Sequence, residues 1–495
     1  MKGIHRYLLG LIMLLAFVLR WWVIHLDPFL HNWDERFHAL VARNLMEHPW
    51  TPRLRPVSLT PFDYKLWCCN EIWVHKQPLF LWQMALSMKL FGISEFTVRY
   101  PSLIIGVLMV PMLYQLGKWF SDGNRWVGLT AALFQACSYS QLELTSGMEG
   151  MDHNDMAMTF YTLASFWAFS RYTQASRETK IRWAVLIGVF AGCAILNKWL
   201  LGLLVFGAWG IWLLALYRRD TRPAIWKNLR ELLLAVGACL LVFVPWQLHI
   251  LHAFPLETAY EFEFNRRHIT EVLEGHGGEV DYFWTRLEVF FGPVVWILVP
   301  VSFFYFLRKN LIQAIRPAQL AVMSCFLVVF VFLSFIVKTK VTSHFVFVTP
   351  LALVMVATVV KDICTGIRRP VWVWVPMAVL IAFLQLQHVD ILKRHDPTQP
   401  DWMAKQARTR IYKSLRSYLR PGTTVVLNAP VFEDVEAMFY NPGILVASYV
   451  PQASDLRQII LKRAKVAYFP ERSGYGVPDY LRTNPNAYEL PVVPR

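Results

Sequence analysis

The sequence predicts a polytopic α-helical membrane protein that ends in a small soluble α/β domain. Of its 495 residues, 56% are hydrophobic and 17% charged, with a mean hydropathy of +0.37; an ordinary soluble chain carries about 25% charged residues. Apolar runs recur from Tyr7 to His388, many close to the ~20 residues a helix needs to cross the hydrocarbon core. The last hundred or so residues lose that character and alternate short apolar and polar stretches instead.

The runs divide into eleven expected spans: residues 7–26, 100–120, 126–142, 152–172, 181–197, 200–217, 231–253, 283–306, 318–337, 344–360 and 371–388. Runs so numerous are not one cleaved signal peptide, so the first reads as a retained helix. With the N-terminus in the cytoplasm, the connections at 118–125, 171–182, 218–230, 308–316 and 361–369 fall inside. Each is rich in Lys and Arg, as the positive-inside rule requires. That alternation accounts for much of the +15 net charge without a nucleic-acid partner. It leaves the loops 27–99, 254–282 and 338–343, and the C-terminal segment, on the outer side.

The first outer loop is the most informative stretch. Asp34-Glu35 follows the first span and opens an amphipathic helical pattern, while Lys76 stands near the far end. Acidic residues at a helix N-terminus complement its dipole; a carboxylate and a cation at a membrane surface also suit chemistry on a charged lipid. Residues 79–92, LFLWQMALSMKLFG, are too short to cross comfortably and predict a helix lying along the outer interface. Pro78 suits its first turn, where a missing N–H has no partner to lose. Five of the seven cysteines lie in or beside spans, Cys68-Cys69 are adjacent in this loop, and no disulfide framework or zinc spacing emerges.

Charges within or at the ends of spans are costly and mark function or a necessary pairing. Arg20, deep in the first span, calls for a partner inside the bundle. Asp152 and Asp155 share a helix face at the outer end of the fourth span; Asp155 is the functional candidate, and Asp152 also suits a cap. Lys198 lies in the outer turn between spans five and six. The loop at 254–282 offers Arg266 and Arg267, whose planar forks suit phosphate, with His268 and His276. Lys338, Lys340 and His344 precede the tenth span. Arg20 apart, these four places all fall on the side of Asp34.

In the last segment, TTVVLNA and KVAYFP predict buried strands and SDLRQIILKRA an amphipathic helix behind a Ser/Asp cap. The expected boundary separates a membrane domain, 1–390, from an extracytoplasmic α/β domain, 391–495. Asp434 and Glu436 read there as surface or core residues.

These residues run in a recognisable order: Asp34-Glu35 with Ala39 and Arg43 on one helix; Thr51-Pro52-Arg53-Leu54; Lys76 and Pro78; Lys89-Leu90-Phe91-Gly92; Ser94-Glu95-Phe96; Arg99-Tyr100-Pro101-Ser102; then Asp155 and Lys198. The chain, from residue 1 to about 355, resembles the GT-C membrane glycosyltransferases, in particular the family 39-like superfamily of protein O-mannosyltransferases and aminoarabinose (lipid A) transferases. Members that modify lipid A carry Arg-Tyr three and four residues after the acidic Asp, where this chain has Phe37-His38. They also carry Glu-Lys-Pro-Pro where it has His75-Lys76-Gln77-Pro78. Both departures lie in the loop that meets the substrates.

The resemblance implies transfer of a sugar from a polyprenyl-phosphate donor to a lipid, glycan or protein acceptor at the outer face, in a bacterial inner membrane with the C-terminal domain periplasmic. It makes Asp34 the candidate base, with Glu35 in support. Lys76, Lys198, Arg266 and Arg267 become candidates for the donor phosphate, and Asp155, His38 and Lys338 for substrate binding. A divalent metal is an open cofactor, with His75 and His276 as candidate ligands. A flippase for a lipid-linked sugar is the alternative; it predicts internal repeats or Gly/Pro-broken helices in matching positions.

Overall fold

The computed structural model describes residues 2–493 except 57, 58, 60–62, 149, 151, 218–221, 313–315, 367–370, 462–464 and 471–475. The inner connections expected at 218–230, 308–316 and 361–369 lie partly outside the described residues, and Met151 wholly so. In chain order the helices are α1 (Lys2–Val23), α2 (Asp34–Leu45), α3 (Leu79–Phe91), α4 (Glu95–Phe120), α5 (Arg125–Ala136), α6 (Tyr139–Ser146), α7 (His153–Gln174), α8 (Lys180–Lys198), α9 (Leu204–Tyr217), α10 (Arg222–Ala253), α11 (Pro255–Thr270), α12 (Leu287–Ile312), α13 (Pro317–Val331), α14 (Thr349–Gly366), α15 (Val371–Leu386), α16 (His388–Arg394) and α17 (Pro400–Lys413). Beyond them α18 (Leu415–Tyr418), β1 (Thr423–Leu427), α19 (Asp434–Tyr440), β2 (Leu445–Val446), α20 (Ala453–Leu461), β3 (Lys465–Tyr468), α21 (Asp479–Arg482) and β4 (Ala487–Glu489) alternate. The chain divides into two compact units: residues 1–25, 102–253 and 262–391, and residues 26–101, 254–261 and 392–495. The loop after α1 thus groups with the C-terminal residues.

Among the described residues, eight helices are long and apolar enough to cross a membrane, against eleven expected spans. The three differences have physical reasons. The expected spans at 181–197 and 200–217 form one continuous apolar stretch, Lys180–Leu216, with a tight turn at Trp199–Leu203. Residues 153–174 are helical, but α7 buries His153, Asn154, Asp155, Thr159, Thr162 and Ser165 and is too polar to count. The run at 126–142 is broken, α5 ending at Ala136 and α6 starting at Tyr139.

That break explains Arg20. A helix end leaves carbonyls without intrahelical partners, and in an apolar bundle no water meets them. Arg20 is fully buried and donates to the carbonyls of Gln135 and Ala136 at 3.3 and 3.2 Å, and to that of Ala16 at 3.3 Å. Its partners are therefore buried backbone carbonyls rather than a carboxylate. Gly106 leaves the room: a Cβ there would stand 2.3 Å from Arg20 Nε. Small residues likewise let α8 meet α10, since a Cβ on Gly188 would lie 2.0 Å from the Ala235 carbonyl oxygen and one on Gly192 2.7 Å from Val242 Cβ. This is the close backbone approach by which helices associate where lipid supplies no hydrophobic drive. Residues Leu351 to Ala357 of α14 are all buried and form the core of this unit, while α1 presents Leu11, Leu14 and Val18 outward.

In the second unit a four-stranded parallel sheet runs in the order β2-β1-β3-β4, with crossovers that contain α19, α20 and α21. Its register pairs Val425 with Leu445 and with Val466, and Ala467 with Tyr488. Val425, Leu427, Ala447, Leu456, Val466, Tyr468 and Leu481 form its core. The expected strands and helix are all present.

Candidate functional site

α2 begins at Asp34, where the acidic pair predicts it. Trp33, immediately before, stands at φ 63°, a costly conformation for a bulky residue. Asp34 keeps its side chain 45% exposed, with Oδ1 3.7 Å from Lys76 Nζ and 4.0 Å from His38 Nε2 one turn further on. His38 is fully buried and meets the rings of Trp73 and Phe80 edge-on. The loop after α1 thus brings its carboxylate, its lysine and a histidine to one point.

Glu35 is committed elsewhere. It is buried and accepts from Arg99 Nε at 2.8 Å, Arg99 Nη2 at 3.0 Å and the His31 backbone N–H at 2.6 Å. The remaining arms of Arg99 reach the carbonyls of Asp27 and Phe29 at 2.7 and 2.6 Å. One bidentate pair therefore fixes both the chain entering α2 and α2 itself.

The opposite side of α2 is held by the C-terminal residues. Arg36 Nη2 lies 3.0 Å from Glu436 Oε2, Arg43 donates to the carbonyls of Met438 and Phe439, and Arg55, further along the loop, pairs with Asp434. Asp434 and Glu436 are both buried. These arginine partners carry no signal in their local sequence. His75, an expected metal ligand, places Nδ1 3.0 Å from Glu261 Oε2 and stacks on Trp67. His276 belongs to the other unit, where its carbonyl accepts from the Lys340 N–H at 2.8 Å.

In the first unit, Asp152 is the N-cap of α7 and accepts from the His153 N–H, the structural role its position suits. Asp155, in the first helical turn, pairs directly with Lys198 at the C-terminus of α8. Trp199 then turns the chain at φ 56°. Arg266 and Arg267 are engaged locally, Arg266 with Glu263 at 2.6 Å and Arg267 with Glu271 at 2.8 Å, exposed pairs that contribute little. Lys338 is exposed, and its N–H bonds to the Ile269 carbonyl at 3.1 Å. Its neighbour Lys340 is buried, donating to the carbonyls of Glu279 and Ser334 at 2.6 and 2.8 Å.

Eight helices among the described residues long and apolar enough to cross a membrane, with a parallel α/β C-terminal region, define a multi-pass membrane protein. Residues 75–249 match the family described as dolichyl-phosphate-mannose-protein mannosyltransferase. An undecaprenyl phosphate-α-4-amino-4-deoxy-L-arabinose arabinosyl transferase of Proteus mirabilis (strain HI4320) is 25% identical over 281 residues, 55% of this chain; the match spans 47% of that relative's length. ArnT from Cupriavidus metallidurans, in a crystal structure with undecaprenyl phosphate, superposes with a TM-score of 0.63 at 18% identity, over 92% of this chain and 88% of that one. The archaeal oligosaccharyltransferase AglB from Archaeoglobus fulgidus, in complex with an inhibitory peptide and a dolichol-phosphate, gives 0.55 at 14% identity, over 91% and 65%. The family match and the relative bear out the resemblance read from the sequence, and the fold likeness bears out the GT-C fold it implied.

Proposed function

We propose that the protein transfers a sugar from a polyprenyl-phosphate-linked donor to a lipid, glycan or protein acceptor at the outer face of the membrane. The observation that carries this reading is the half-exposed pair of Asp34 and Lys76, 3.7 Å apart at the head of α2 and just beyond the first crossing helix. It gains support from a relative named for an undecaprenyl-phosphate sugar and from fold neighbours solved with polyprenyl phosphates.

In this reaction the acceptor oxygen forms a bond to the anomeric carbon, and the bond from that carbon to the phosphate oxygen breaks. The lipid phosphate leaves with the electron pair. Asp34 takes the proton of an acceptor hydroxyl, while the buried His38 backs it and Glu35, through Arg99, holds it in place. Lys76 and Lys198 are each candidates for neutralising charge on the leaving phosphate, Asp155 pairing with Lys198 when no donor is present. Arg266, Arg267 and Lys338 are further candidates for receiving anionic substrate. The topology that follows puts residues 391–495 outside, in the periplasm of a bacterial inner membrane.

The test is sugar transfer from a purified undecaprenyl-phosphate-linked donor by wild type and Asp34→Asn at matched protein levels. Asp34 follows the capping position rather than occupying it. Removing its charge therefore costs stability little, the dipole contribution of about 0.3–1 kcal/mol and a half-exposed pair with Lys76. As the base, its loss lowers turnover roughly 10²- to 10⁴-fold. Equal rates would reduce Asp34 to a helix-dipole residue.

A further inference from the structure

One buried cluster in the second unit is left unused by the transfer chemistry. Asp27 and His31 lie in the segment that leaves α1, and His395 follows α16; they are only 4%, 3% and 3% exposed. A carboxylate oxygen of Asp27 and one ring nitrogen from each histidine all lie within 4.8 Å of one another. His31 Nε2 is 3.1 Å from Asp27 Oδ2, and His395 Nδ1 approaches that same oxygen. Both histidines thus turn a ring nitrogen onto one carboxylate oxygen in a buried cluster. A cation at the meeting point would take a lone pair from each neutral imidazole and one from the carboxylate.

The surroundings complete the pattern. The second Asp27 oxygen accepts from Trp402 Nε1 at 2.6 Å, the kind of outer hydrogen bond that orients a ligating carboxylate. The His31 backbone N–H is fixed on Glu35 at 2.6 Å, and Arg99 holds the Asp27 carbonyl at 2.7 Å. The donors are therefore set by their neighbours before any ion arrives.

We propose that Asp27, His31 and His395 bind a divalent transition-metal ion, zinc foremost. Two imidazoles and one carboxylate are donors of the type that holds zinc, whereas calcium and magnesium take all-oxygen shells. Burial of all three ligands makes the ion structural: it fastens the segment leaving α1 to the residues that follow α16. This site is distinct from His75 and His276.

The experiment uses the full-length protein in detergent, purified through a tag without histidine, loaded with zinc and desalted. Metal content is measured by mass spectrometry, and melting with and without a chelator. Wild type and the Cys68→Ser/Cys69→Ser variant each retain one equivalent, while His31→Asn and His395→Asn do not. Trp402→Phe binds zinc about 10- to 100-fold more weakly, as expected on loss of an outer hydrogen bond. Stripping zinc from wild type lowers the melting temperature, and zinc alone restores it; if the histidine variants do not fold, the weakened binding of Trp402→Phe assigns the ion to this cluster, and unchanged binding there would overturn it. Wild type without zinc after loading, or histidine variants that keep the full equivalent, would overturn the site and leave a hydrogen-bonded Asp–His cluster only.

Discussion

Glu35 offers the sharpest separation between a residue that reacts and one that positions. Its two carboxylate oxygens accept from Arg99 twice and from the His31 backbone, and the side chain is buried away from solvent. Replacing it by Gln keeps the shape and one acceptor but turns an N–H₂ toward groups that are themselves donors. It also leaves the buried Arg99 charge without its counter-charge. Breaking one side of a buried pair costs about 3–5 kcal/mol, or two to three and a half decades in a folding equilibrium at about 1.4 kcal/mol per decade. Thermal denaturation of Glu35→Gln in detergent should therefore show a large loss of stability, while transfer per folded molecule, measured well below the variant's melting point, stays within about tenfold of wild type, short of the effect of losing a catalytic base. Adding Arg99→Met should restore part of the loss, so that the double variant is less destabilised than the sum of the two singles. A variant that melts like wild type but has lost transfer would refute the positioning role.

Three further outcomes follow from the same geometry. Lys198→Met, which removes the partner of Asp155, should raise the donor concentration needed for half-maximal transfer at least about tenfold, a charge-assisted hydrogen bond contributing roughly 1.5–3 kcal/mol; unchanged donor dependence would place the phosphate elsewhere. Cys69 should react with an alkylating agent as a thiolate above neutral pH and lose reactivity as the pH falls below about 7, because the hydrogen bond from the Cys68 thiol at 3.0 Å pulls its pKa down to about 7; Cys68→Ala should move that midpoint back up toward an ordinary thiol, and an unmoved midpoint would deny the coupling. A reporter enzyme active only in the cytoplasm, fused after the C-terminus, should be silent; activity would reverse the assignment of every outer loop.

What the sequence makes legible is local. Asp34-Glu35 ahead of an amphipathic run marks the start of α2, because a helix N-terminus favours acidic residues. TTVV and KVAY read as strands because short buried β-branched runs leave few alternatives. The break between α5 and α6 is invisible to hydropathy, which averages across a window and cannot register that Arg20 arrives from another helix to meet the freed carbonyls. Asp434 illustrates the same limit: Arg55, which makes it a buried ion-pair partner, lies 379 positions away. Asp27 and His31 share a spacing of four, but their third member is 368 residues from Asp27.

The arginines of the first outer loop carry a consequence for biogenesis. Arg36 and Arg55 are buried against carboxylates at 436 and 434, and Arg43 against carbonyls at 438 and 439. During synthesis from the N-terminus, these partners emerge only after nearly four hundred intervening residues. Until then, burial of the loop would leave guanidinium groups uncompensated, so it stays hydrated and unsettled. Its ordering is consequently among the last steps of folding, slowed by the large sequence separation of its contacts. A nascent chain released before residue 434 lacks the side-chain partners of both buried arginines, and the helix that presents Asp34 then has no fixed seat. The C-terminal region thus supplies the seat of the helix that carries Asp34.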